Sequence, residues 1–125
     1  MTSRRLKIHA LLVILATLSA CSPTKPPVEE LDAASRALGA AKIAGAQTYA
    51  ASEYRSGGQR YDQAQAAESR HDYDAAAQFA RESAADSELA SAKARLGKAR
   101  EAVAKLRQDN ATLDRNLTEH AEAQP

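Results

Sequence analysis

Cys21 is the only cysteine in the chain. It follows Leu18-Ser19-Ala20, at the close of an apolar run from Ala10 to Leu18 that is itself preceded by Arg4, Arg5 and Lys7. A lone cysteine cannot close an internal disulfide, so its thiol is left for other covalent chemistry. A basic start, an apolar middle and small residues before a break have the form of a secretory signal, here with cleavage between Ala20 and Cys21. The apolar run is too short to span a bilayer, which takes about 20 residues. Other reactive side chains do not converge. His9 falls inside the signal, His71 at a turn and His120 near the end, and no His or Cys pair has metal-ligand spacing. Gly57-Gly58 lacks the spacing and the lysine of a phosphate loop. Asp72 and Asp74 form a carboxylate pair in sequence, but acids at a helix start ordinarily answer the helix dipole. The expectation is a protein with no catalytic residues and no metal site.

The Leu18-Ser19-Ala20-Cys21 run resembles the lipobox of bacterial lipoproteins: an aliphatic residue, two small residues, then cysteine. The resemblance implies a diacylglycerol thioether on Cys21, cleavage before it, and an N-acyl (palmitate-type) chain on the new amine. That covalent lipid is the only expected prosthetic group. Burial contributes about 0.8 kcal/mol per methylene, so two or three chains hold where one would not. In that family an aspartate after the cysteine favours the inner membrane. Ser22 stands there instead, which implies the outer membrane, on its periplasmic face.

Removing Arg4, Arg5 and Lys7 from the 17 basic residues leaves 14 against 16 acidic ones, a net charge of about −2, whereas the whole chain carries +1. No basic excess points to nucleic acid. Alanine dominates, tryptophan is absent and large apolar residues are few. Alanine is the best helix former but buries little area, so the composition predicts an all-helical domain of marginal stability.

Four segments follow along the chain: the signal over 1–20, the modified cysteine and tether over 21–28, an alanine-rich bundle over 29–92 and a helical extension over 93–125. Ser22-Pro-Thr-Lys-Pro-Pro27 is a proline-rich tether, extended at about 3.1 Å per residue. Glu29, Glu30 and Asp32 open a helix whose stripe is Leu31, Ala34, Leu38, Ala41, Gly45 and Thr48. Two boundaries compete for its end. Ser56-Gly57-Gly58 is the stronger breaker, while Ser52 could cap a new helix at Ala51-Ser52. Asp72 predicts an N-cap for a helix from Tyr73, with His71 in the left-handed region. That helix would run to about Thr118, about 70 Å.

Along it Leu89, Leu96, Val103, Asn110 and Leu117 recur every seven residues, with Ala92, Ala99, Leu106 and Leu113 between them. These are a and d positions of a coiled coil, and Asn110 at an a site trades stability for register. Leu96, Val103, Leu106, Asn110, Leu113 and Leu117 are the candidate contacts for a partner helix, either a second copy or another envelope protein. A parallel homodimer would set Arg95 against Arg100 and Asp109 against Asp114, so the mate is antiparallel or a different helix. Lys93, Arg95, Lys98, Arg100, Lys105 and Arg107 crowd the same helix and are candidates for binding anionic lipid or peptidoglycan, or a solvated flank. Tyr49, Tyr54, Tyr61 and Tyr73 gather at the turns, suited to sugar stacking or to filling an alanine core.

The stretch Ala41–Glu53, then Tyr61-Asp-Gln-Ala64, Asp72-Tyr-Asp-Ala-Ala76, Ala80 and Ala84–Ala92, resembles an uncharacterised alanine-rich family of bacterial lipoproteins, a domain of unknown function often beside an OmpA-like peptidoglycan-binding domain. In such proteins a Gly-Asp-Tyr turn joins two helices as in a tetratricopeptide hairpin, and His71 here stands in place of the glycine. The resemblance implies a break near Ala51–Ser52, with Gly57 and Gly58 inside a helix. It also implies an all-α, up-down-up three-helix bundle whose last helix projects as a coiled-coil arm. The expected protein keeps the family's spacer without its wall anchor. Its expected role is a non-enzymatic spacer or interaction arm moored by lipid. The alternative is a module that binds peptidoglycan or lipopolysaccharide through the basic helix.

Overall fold

The computed structural model describes residues 25–123. Four helices follow one another: α1 (Val28–Ala44), the single turn α2 (Ala46–Tyr49), α3 (Ala51–Ser69) and α4 (Tyr73–Glu122). All described secondary structure is helical, as the alanine content predicts.

Helix α1 starts at Val28 after the N-cap Pro27, with Glu29 and Glu30 in its first turn and Lys42 in its last, each matched to the dipole. Its end corrects the sequence reading. Gly45 takes φ 89° and its N–H reaches back to the carbonyls of Ala41 and Lys42, closing the helix six residues before the expected break at Ala51. The predicted stripe is therefore buried at Ala34 and Ala41 and half-buried at Leu31 and Leu38, whereas Thr48 is exposed. Helix α2 makes one turn, and Ala50, outside the helical region at φ −149° and ψ 46°, separates it from α3. The Ala51 boundary is therefore observed, but Ala50 rather than Ser52 is the N-cap, and no side chain bonds there. Gly57 and Gly58 lie within α3.

The α3–α4 turn matches its sequence. His71 has φ 61°, and the Asp72 carboxylate accepts a hydrogen bond from the Ala75 N–H at 3.3 Å. Helix α4 then continues four residues past the predicted end, to Glu122.

Helix α4 is the spine. The Arg81 guanidinium lies 3.5 Å from Glu30, and Lys98 lies against Gly45, so α1 runs parallel to α4. Lys93 pairs with Glu53, and Arg60 reaches Glu82 and, at 3.1 Å, Asp86, so α3 runs antiparallel. This is the up-down-up order. Helices α1 and α3 each pack on α4 and only sparingly on each other, leaving a shallow groove between them lined by Leu38, Tyr54 and Tyr61.

The core is built of methyl groups. Ala76, Ala80, Ser83, Ser87, Ala90 and Ala94 present the buried face of α4 in alternating steps of four and three. Small residues at that spacing let backbones approach closely. Tyr54, Tyr61 and Phe79 pack at the edges of two alanine clusters.

Candidate interaction surface

Two faces of α4 carry different residues. The small face is covered by α1 and α3. The large aliphatic residues point away from it: Leu96, Val103, Leu106, Leu113 and Leu117 are each 45–61% exposed, and Asn110 among them is exposed too. The predicted seam is thus one continuous, uncovered stripe on the side of α4 opposite the bundle.

The bundle packing runs past residue 92, the expected boundary. At its end the Tyr49 ring rests on Gly97, where an added Cβ would stand 2.7 Å from a ring carbon. The Tyr49 hydroxyl donates to Glu101. That hydrogen bond, then desolvation, then the charge of Glu101, hold the Tyr49 hydroxyl above its ordinary pKa. The aliphatic stem of Lys98 crosses Gly45 on the neighbouring side. From Lys98 to Ala123 every residue is exposed. Helix α4 therefore leaves the bundle near Glu101 and projects alone for about 30 Å.

Local bonds support this arm. The Thr112 hydroxyl donates to the Gln108 carbonyl at 3.0 Å, and Thr118 donates to the Asp114 carbonyl at 3.0 Å. Arg115 reaches the Ala111 carbonyl at 3.2 Å. A solitary helix of this length is nonetheless marginal in water, and its half-exposed leucines gain from a cover.

The six basic residues do not form one patch. Lys93, Arg100 and Arg107 recur every seven residues along one flank, and Lys98 and Lys105 along another, about 140° around the helix. Arg95 lies near the apolar stripe. Lys93 is engaged by Glu53. A crowd in the linear sequence is dispersed by the 3.6-residue period.

Sequence reasoning missed the Tyr49–Glu101 closure and the ionic row joining α3 to α4. In that row Asp86 accepts from Ser56 at 2.6 Å and from Arg60. The Lys93 hydrogen bond, chiefly, lowers the Glu53 carboxyl below its usual pKa. A carboxyl depressed in the folded state adds stability above its unfolded pKa and loses it as pH falls through the folded value. The Tm of wild type should therefore fall slightly below the ordinary carboxylate range, and Lys93→Met should remove that part of the acid-side slope. Thermal melts across pH check this.

Among the described residues no group of three His, Cys, Asp or Glu could hold a metal ion, and no helix is long and apolar enough to cross a membrane. The His71 Nδ1 lies 2.9 Å from the Tyr73 hydroxyl, at the turn. Ala20 and Cys21 lie outside the described residues.

The family described as "Domain of unknown function (DUF4398)" matches residues 29–106. The chain belongs to this family. No curated protein and no solved structure matches it. The DUF4398 match takes in the whole bundle and ends at Leu106, just beyond the point where α4 stands free. Most of the arm, with Asn110, Leu113 and Leu117, therefore lies past the matched region.

Proposed function

We propose that this protein is a lipid-anchored spacer and interaction arm of the bacterial cell envelope, held by Cys21 to the periplasmic face of the outer membrane. The observation that carries this reading is the uncovered leucine stripe on a helix that outruns its own bundle. The tether and the stripe lie at opposite ends: Lys25 to Glu30 sit beside Asp74, Ala77 and Arg81 at the start of α4. The 50 residues of α4 are about 75 Å long. A chain moored at its N-terminus thus carries its stripe away from the attachment point. A bare helix of half-exposed leucines has little use except to meet another helix. The dispersal of the basic residues argues against the alternative of a peptidoglycan- or lipopolysaccharide-binding module.

Leu106→Ala with Leu113→Ala tests the arm. Both sites are exposed, so the bundle should keep its Tm while association through the arm is lost. Sedimentation and pull-down profiles identical to wild type would overturn the reading.

A further inference from the structure

We propose that the arm's partner is a second copy of this chain, docked antiparallel so that residues 103–120 of each copy face one another. The inference rests on the arm as an interaction surface and names its occupant.

The stripe itself says where pairing occurs. Its d positions are Ala92 and Ala99 alongside the bundle but Leu106 and Leu113 beyond it. Alanine at d contributes little to a coiled coil, so the seam becomes strong only where α4 projects. The seam also faces away from α1 and α3, so two arms can meet with neither bundle in the way.

Charge selects the direction. A parallel pair sets Arg95 against Arg100 and Asp109 against Asp114, both repulsive. In an antiparallel pair a sites face d sites, and like flanks face each other. With Asn110 opposite Leu113 of the second copy, Leu106 meets Leu117 and Val103 meets His120. Arg107 then meets Asp114, twice by symmetry, and Asp109 meets Asn116. Sliding one heptad toward greater overlap sets Arg107 against Arg107 and Asp109 against Asp109. Sliding one heptad the other way sets Asp114 against Asp114. One antiparallel register alone is free of these clashes.

That register also fits the length of the arm. Each tip reaches the other copy near Glu101, where its bundle ends. The pair is a rod of about 115 Å with the two Pro27 ends at opposite extremes. Tethers from one surface would lay such a rod along it.

The test is charge reversal in the full chain, purified in detergent and followed by sedimentation at low salt. Asp114→Arg and Arg107→Glu should each weaken self-association about tenfold. The double variant Arg107→Glu/Asp114→Arg should recover to within about threefold of wild type, and a mixture of the two single variants should associate as wild type does. In a parallel pair Asp114→Arg would instead strengthen association, by relieving Asp109, and Arg107→Glu would be silent. That result would overturn the proposal, as would a wild-type chain that stays monomeric. If the chain is monomeric but a different protein is captured and lost with Leu106→Ala/Leu113→Ala, the arm reading stands and only the second copy fails. If capture is also absent, both fail. All variants lie on exposed sites, and circular dichroism checks that each is folded.

Discussion

Gly57→Ala should lower stability by about 2 kcal/mol, a fall in Tm of about 10 °C, although alanine is the better helix former. Gly57 is buried in α3 against α4, and a Cβ there would stand 2.5 Å from the Ser87 hydroxyl oxygen and 3.3 Å from the Ser83 carbonyl oxygen. The Ser83 hydroxyl donates to the Gly57 carbonyl at 2.7 Å, so the backbones cannot part without losing that bond. Next to it, Gly58 has open space around its Cα. Gly58→Ala should therefore gain about 1 kcal/mol from propensity alone. Ser87→Ala offers the control. Its hydroxyl is buried without a partner, so removal should be neutral or stabilising. In the Gly57→Ala background it removes the atom nearest the new methyl and should restore about 1 kcal/mol. Thermal and denaturant melts of the four variants close the cycle. Equal stability of Gly57→Ala and Gly58→Ala would show that the helices are not in close contact there.

These two glycines show why parts of the fold were legible and parts were not. Propensity reads Gly57-Gly58 as a helix end, because it weighs backbone freedom without knowing what lies opposite. The residue that does end a helix, Gly45, falls in a small-residue stripe at helical spacing and reads as helix interior until its positive φ is known. Asp72 and His71 could be read correctly because their roles are local: a cap bonds three residues on, and a left-handed residue needs only its own backbone. The heptad seam was legible because a period survives in one dimension. The Tyr49–Glu101 closure was not, since its partners are 52 positions apart and neither residue type announces the other. The buried face of α4 left a signal that could have been used. Ala76, Ser83, Ala90 and Gly97 recur every seven residues, marking a second, small-residue stripe opposite the leucines. Taken together, the two stripes separate the packing face from the face left free. That separation is the physical basis for reading α4 as both core and arm.

Cys21→Ser should abolish membrane retention almost completely. Serine keeps the size of the side chain but lacks the thiol on which the thioether would form. The variant should therefore lose the diacylglycerol, the cut before residue 21 and the N-acyl chain together. The precursor would keep Arg4, Arg5 and Lys7 and the run from Ala10 to Leu18. A run of nine residues, one of them Thr17, falls well short of the about 20 that span a bilayer, so that segment can hold the chain only weakly. At about 0.8 kcal/mol per buried methylene, loss of two or three acyl chains outweighs anything such a segment regains. Alkaline carbonate should extract the variant and leave wild type with the membranes. Intact-mass measurement of wild type should find Cys21 as the first residue, carrying added acyl mass. A wild-type product with a free thiol, extracted as readily as the variant, would remove the anchor. The bundle and its exposed arm would then belong to an untethered chain, in which the proposed antiparallel pairing could still be measured independently of any membrane.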